Sequence, residues 1–157
     1  MISGQARDFE EGMGGWSCYS NPDANAGHGN CHTHSNYNGR SSVAHIHGSC
    51  TGTQGGIQQT FATESYTTYT LKLLAYAGTW DGTDTDDFYI KVDNSDQSDW
   101  VQYSVEHGTW EEASLTFTAY GETTITIWSD ANHCIDVDEI VLEMCSSICT
   151  SRFLISL

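Results

Sequence analysis

The chain has 157 residues and a formal net charge of -16, with 21 acidic side chains against only five basic ones. This length predicts one domain with a sizeable core. The negative charge repels phosphate groups and attracts divalent cations, which excludes nucleic acid and anionic membranes as expected partners. The sequence also contains no apolar run long enough to insert into a membrane as a helix.

Six cysteines and very few lysines indicate an oxidising, extracellular setting in which disulfides form. The N-terminal residues lack a secretory apolar stretch, so we expect a mature or partial form of a secreted protein. Spacing alone permits many pairings among the six. The predicted disulfide cysteines are Cys18, Cys31, Cys50, Cys134, Cys145 and Cys149.

The first distinct segment is rich in Asn, Gly and His and runs from residue 20 to residue 40. It has little periodicity, which predicts a long N-terminal loop that a Cys18–Cys31 bond could close. Such a loop at one end of a sandwich is either a binding element or a disulfide-held insertion without a function of its own.

Downstream, β-branched and aromatic residues alternate with polar ones between Gly, Asp and Asn. About eight strands and no helix are predicted, which is typical of an all-β antiparallel sandwich of the jelly-roll type. We assign residues 1–144 to this domain. The predicted strands are residues 41–47, 55–63, 66–77, 86–93, 100–105, 113–120, 123–129 and 134–144.

His45 and His47 lie two residues apart in the first of these strands and would share the face opposite the core. There they could bind zinc or copper if further imidazoles joined them. The alternatives are a polar face that contacts glycans or proteins, and a plain exposed strand. The preceding loop offers three further imidazoles: His28, His32 and His34.

Aromatic side chains on outward faces could stack on sugar rings. Ile125 and Ile127 would share the core face of their strand, which leaves Trp128 on the other face. Trp128, Tyr37 and Trp80 are the candidate glycan-binding residues.

The last strand carries a carboxylate that is predicted to face inward. A period of two places Asp138 on one face with Ile140 and Leu142. A buried carboxylate needs a partner, and because basic residues are scarce we expect a structural calcium ion there. The expected further ligands are Glu10 and Glu11, near the N-terminus. The alternative is that Asp138 caps a turn or lies in a loop.

Residues 145–157 form a tail beyond the predicted domain. Phe153, Ile155 and Leu157 alternate along it, which predicts an extra C-terminal strand with an apolar face. An apolar strand of this kind must be covered. It either folds back on its own domain or adds to a sheet edge of a second copy, and open head-to-tail addition builds filaments.

Residues 48–52, Gly-Ser-Cys-Thr-Gly, resemble a nucleophile elbow. That motif needs a strand-to-helix turn, and no helix is predicted. Cys50 is better explained as half of a disulfide, so we predict a protein that is not an enzyme.

Four segments taken together resemble the galactose-binding-like jelly rolls, a group that includes many carbohydrate-binding modules of secreted glycoside hydrolases. The resemblance covers residues 8–144 and implies a jelly-roll fold and a structural calcium held by Glu10 and Asp138. The segments are DFEEGMGGW, GGIQQTFATESYTTYTLKLLAYAG, GTWEEASLTFTAYGETTITIWS and IDVDEIVLEM.

Two functions follow from these observations. The leading prediction is a non-catalytic extracellular structural module that self-associates through its C-terminal tail into a fibre or matrix. The alternative is a carbohydrate-binding module that recognises glycans through exposed aromatic side chains. A secreted enzyme with an unrecognised active site ranks last.

Overall fold

A computed structural model describes residues 13–20, 30–47, 55–78, 85–129 and 134–145. Nine strands and no α-helix occur within these ranges, so nothing there resembles a membrane-spanning helix. The strands are β1 (Ser17–Ser20), β2 (Asn30–Tyr37), β3 (Arg40–His47), β4 (Gly55–Phe61), β5 (Thr67–Ala77), β6 (Thr85–Ser95), β7 (Val101–Glu106), β8 (Trp110–Ser129) and β9 (Cys134–Met144).

The strands form two antiparallel layers that share the long strand β8. The first half of β8 pairs with β5, and its second half lies between β4 and β6. The first layer therefore has the order β8–β5–β9–β3–β2, and the second has the order β1–β4–β8–β6–β7. β8 passes between layers near Gly121, whose φ of 139° is a conformation that glycine adopts at low cost. The predicted all-β sandwich is confirmed.

The core lies between the layers and follows the period of two. In β5, Leu71 and Leu73 are buried, as their alternation predicts, and Phe117 from the first half of β8 packs with them. Ile125 and Ile127 from the second half of β8 contribute from the other layer. Apolar burial on both inner faces is the main stabilising contribution in such a sandwich.

The predicted long loop is in part a strand. β2 pairs with β3 along most of its length, so residues 30–37 belong to the sheet. The prediction failed there because the alternating side chains of β2 are His, Thr and Ser, and these give no apolar signal. The Cys18–Cys31 disulfide is confirmed, and it joins β1 and β2, which are the edge strands of the two layers.

The other predicted disulfides are not settled by the fold. Within the described residues Cys145 forms no disulfide, and its Sγ lies 3.2 Å from the Thr70 hydroxyl. Cys50 and Cys149 lie outside the described residues, so disulfides that involve them, including any with Cys134, stay predictions.

The prediction that Asp138 shares a face with Ile140 is wrong, because β9 contains a bulge. Its pairing with β5 shifts at this point, and Glu139 adopts a φ of 49°. The extra residue exchanges the two faces of the strand. Val137 and Ile140 therefore face the core. Asp136 and Asp138 both lie on the outer face.

Several predicted features lie outside the described residues. The division into residues 1–144 and a tail, the N-terminal calcium ligands and the apolar C-terminal strand therefore stay predictions. The residues concerned are Glu10, Glu11, Trp80, Phe153, Ile155 and Leu157.

Candidate functional site

A row of side chains crosses all five strands of the first layer on its outer face. Strand pairing places Trp110 of β8 opposite Tyr76 of β5, and Tyr76 opposite Asp136 of β9. Asp136 in turn lies opposite His45 of β3, which lies opposite His32 of β2. Residues directly opposite one another in antiparallel strands share a face. We call these five residues the cross-strand row; it is aromatic at one end and rich in imidazole at the other.

The aromatic end is held by the hairpin between β2 and β3. The rings of Tyr76 and Trp110 lie 5.3 Å apart at 41°. The indole N–H of Trp110 donates to the carbonyl oxygen of Asn38 at 3.2 Å. The Arg40 guanidinium carbon lies 5.2 Å from the centroid of the Trp110 ring, within cation–π range. These contacts fix the two aromatic rings in one orientation.

The same hairpin forms a depression beside these rings. Asn36, Asn38 and Gly39 all have positive φ, a conformation that Asn and Gly tolerate better than other residues. The tight turn that results leaves an open cleft of about 390 Å³, which is within the size range of small-ligand sites. Its lining residues are Asn36, Gly39, Arg40 and Ser41.

Arg40 supplies the cation that the buried carboxylate of Asp138 needs. Its Nη1 donates to Asp138 Oδ2 at 3.1 Å and also contacts the carboxylate of Glu139. The backbone N–H of Glu139 donates to Asp138 Oδ1 at 2.8 Å. Burial raises the pKa of Asp138, and the Glu139 N–H and the Arg40 charge oppose that shift. The hydrogen bond to Glu139 raises the pKa of Arg40.

Calcium at Asp138 stays a prediction, although a basic residue already lies beside this carboxylate. Both of its oxygens accept hydrogen bonds, one of them from a guanidinium. A melting temperature unchanged by EGTA would contradict calcium binding through Glu10, Glu11 and Asp138.

The imidazole end of the row contains three histidine rings in mutual contact. Ring centroids lie 4.5 Å apart for His32–His34 and His34–His45, and 5.0 Å apart for His32–His45. The Nε2 atoms of His32 and His34 are separated by 2.8 Å, and His45 Nδ1 lies 2.7 Å from Asp136 Oδ1. His45 faces away from the core as predicted. It is nonetheless only 6% exposed, because neighbouring rings cover it.

The metal site predicted for His45 and His47 stays a prediction. Among the side chains that the structure describes, those of His34 and Asp136 lie close enough to His45 to share an ion. His47 pairs through its backbone with β2 and β9, and the position of its side chain is outside the described part of the structure.

The predicted glycan-binding residue Trp128 lies on the outer face of the second layer, as the alternation requires. It is not open to a ligand, since the ring of Tyr89 stacks on it at 4.7 Å and the ring of Trp100 lies 5.3 Å away. Trp128 is 8% exposed, whereas Trp100 is 38% exposed. Tyr37 lies at the end of the β2–β3 hairpin, and its side chain is outside the described part.

Comparison with known families now identifies the fold. A family model described as a carbohydrate binding domain (CBM_4_9) matches residues 4–128. The chain belongs to this carbohydrate binding domain family. The resemblance to carbohydrate-binding modules that four sequence segments indicated is confirmed. No curated protein matches the chain.

Solved structures with the same fold include other carbohydrate-binding modules. One is the CBM22-1 and GH10 part of endo-1,4-β-D-xylanase 10B from Clostridium thermocellum, complexed with xylohexaose. It is 17% identical with a TM-score of 0.66, and the alignment covers 94% of this domain but 29% of that chain. Another is the CBM22-1 xylan-binding domain of Paenibacillus barcinonensis Xyn10C, at 13% identity and a TM-score of 0.63, with 90% and 94% covered.

The fold is not restricted to modules of xylanases. The K3 cleaved adhesin domain of Lys-gingipain from Porphyromonas gingivalis has a TM-score of 0.66 at 10% identity, with 89% of this domain and 98% of that one covered. At these identities the likenesses establish the fold of this carbohydrate binding domain, and its ligand has to be argued from its own residues.

The ion pair between Arg40 and Asp138 should be energetically coupled. We expect a double-mutant cycle with Arg40→Gln and Asp138→Asn to give a coupling of about 1–2 kcal/mol, because the carboxylate is buried beside its cation. Urea denaturation of the four proteins measures it.

The matched control is the exposed pair Lys72–Glu143, whose side chains are 43% and 50% exposed. For Lys72→Gln and Glu143→Gln the same cycle should give a clearly smaller coupling, because solvent screens the exposed pair. Equal couplings in the two cycles would show that burial does not strengthen the Arg40–Asp138 pair.

Proposed function

We propose that this domain is a non-catalytic carbohydrate-binding module that binds a glycan at the aromatic end of the cross-strand row. The observation that carries the proposal is the pair of fixed rings, Tyr76 and Trp110, at one end of that row. Aromatic rings present a flat apolar surface to the apolar face of a sugar. The membership of the chain in a carbohydrate binding domain family supports this use of the rings.

The polar groups around the rings suit the hydroxyl groups of a sugar. The guanidinium of Arg40 lies over the Trp110 ring, Arg40 also lines the hairpin depression, and its guanidinium contacts the carboxylate of Glu139. Arg40 offers several N–H donors in a fixed plane, and Glu139 offers acceptors. A small number of such groups beside an apolar platform is the usual composition of a site for small organic ligands.

Two of the similar modules carry names that refer to xylan or to xylohexaose. We therefore propose a β-1,4-linked polysaccharide of the xylan type as the first ligand class to test.

The location that we propose is extracellular. The Cys18–Cys31 disulfide joins the edges of the two layers, and such a bond persists in oxidising compartments. The strongly negative charge of the chain is compatible with neutral polysaccharides, which carry no charge to repel.

Self-association of the chain is a second proposal, supported by the alternation of Phe153, Ile155 and Leu157 in the tail. Light scattering of the full chain and of a form that ends at Thr150 tests it. We expect large particles from the full chain and monomers from the shorter form, because the predicted apolar strand would be gone. Monomers from both forms would contradict assembly through the tail.

Glycan binding should depend on the first layer. Calorimetric titration with xylohexaose should show at least tenfold weaker binding for Trp110→Ala and for Tyr76→Ala, equivalent to about 1.4 kcal/mol or more. Loss of the flat apolar surface is the physical reason. β-1,4-Galactotriose, the ligand in the structure of another similar module, serves as a second titrant.

Trp100→Ala is the matched control, because Trp100 is an exposed tryptophan on the outer face of the second layer. It should bind as the unmodified domain does. Binding that is lost in Trp100→Ala but kept in Trp110→Ala would move the site to the second layer. Failure of the unmodified domain to bind xylohexaose would reject the proposed ligand class.

A further inference from the structure

We propose that the imidazole end of the cross-strand row is a binding site for a transition-metal ion of the zinc class. The ligands are His34, His45 and Asp136, with His32 as the fourth. This inference does not depend on the proposed glycan binding, because it uses the opposite end of the row and other donor atoms.

Three adjacent strands bring these groups together. His32 and His34 lie two residues apart on β2, so their side chains leave the same face of the strand. His45 lies opposite His32 on β3, and Asp136 lies opposite His45 on β9. All four groups therefore project from neighbouring positions on one face of the layer, and they do so on regular strands, which hold side chains more rigidly than loops.

The distances are close to those that zinc requires. His34, His45 and Asp136 each offer one ligand atom, and these atoms lie within 4.8 Å of one another. Zinc–nitrogen bonds of 2.0–2.1 Å in a tetrahedral site place ligand atoms about 3.3 Å apart. Small side-chain rotations would close the remaining gap. The Nε2 atoms of His32 and His34 lie 2.8 Å apart, so His32 is the nearest further imidazole to this group and the candidate fourth ligand.

The donor set favours zinc or copper over calcium. Imidazole nitrogens bind zinc, copper and nickel, whereas calcium is bound by oxygen atoms alone. Three imidazoles and one carboxylate provide a complete four-ligand set.

The charge around the site also favours a cation. Asp136 is 1% exposed, and a carboxylate so deeply buried is costly unless a positive charge or hydrogen bonds compensate it. A bound divalent ion would supply that charge. The domain as a whole, at a formal charge of -16, raises the local concentration of cations.

The experiment is a calorimetric titration of metal-free domain with Zn²⁺ alone, without any glycan. We expect one ion per chain. We expect His34→Gln to bind at least tenfold more weakly, because one ligand is replaced by an amide. Co²⁺ added in place of Zn²⁺ should give the intense visible absorption of a tetrahedral site, and His34→Gln should lose it.

His107→Gln is the matched control. His107 is also partly buried, but it contacts Asp86 on β6, in the other layer. This variant should bind Zn²⁺ as tightly as the unmodified domain. His28, His47 and His133 remain in every variant, so a loss seen with His34→Gln belongs to the cluster.

A substitution of the buried His45 can unfold the domain, so His32→Gln, at the exposed edge of the cluster, provides the second test. It should weaken Zn²⁺ binding while its melting temperature without metal stays within a few degrees of that of the unmodified domain. The proposal would be overturned if the unmodified domain did not bind Zn²⁺. It would also be overturned if His34→Gln and His32→Gln bound Zn²⁺ as tightly as the unmodified domain does.

Discussion

The pairing of β9 with β5 on one side and with β3 on the other decides which side chains meet on the outer face of the first layer. Asp136 lies in the middle of that pairing, opposite Tyr76 and opposite His45. In a sheet, a shift of one residue moves every side chain of a strand to the other face. With β9 out of register, the aromatic and imidazole ends of the row would not be joined by a carboxylate, and the core would receive Asp136 in place of Val137.

The bulge at Glu139 likewise decides which side chains of β9 face the core. It lets Ile140 face the core while Asp138 stays on the outer face beside Asp136, where two neighbouring buried carboxylates would repel each other. Arg40 relieves this for Asp138, and it can do so because the β2–β3 hairpin bends over the face towards Trp110. One guanidinium therefore balances a buried charge and orients the proposed sugar platform. The electrostatics of the layer and the shape of the platform are linked through that residue.

Much of the fold could be predicted from the sequence, because its core strands alternate apolar and polar residues. The burial of Leu71, Leu73, Ile125 and Ile127 follows directly from that pattern. β2 was missed because its inward positions carry Cys31 and Thr33 while its outward ones carry His32 and His34, and such a strand has no apolar signature.

The candidate site was harder to predict because it depends on contacts between distant parts of the chain. The histidine pairs marked the right region, but the partners of His45 come from β2 and β9, and register cannot be predicted from one strand. The bulge at Glu139 is a backbone conformation that strict alternation does not reveal. The burial of Trp128 depends on Tyr89 and Trp100 from other strands.

The two ends of the row would bind their ligands through different forces, and this decides how the two sites influence each other. Stacking of a neutral sugar on Tyr76 and Trp110 removes apolar surface from water, and added salt has little effect on that contribution. Attraction of a cation to the imidazole end depends on the negative charge of the domain, and about 0.15 M salt screens such charges beyond roughly 8 Å. Asp136 lies between the two ends, since it is opposite Tyr76 in the sheet and contacts His45. An ion that neutralised Asp136 would change the charge beside the sugar platform without altering its shape. The glycan site and the metal site would then be coupled through a single carboxylate, and by thermodynamic linkage each ligand would change the affinity of the other by the same factor.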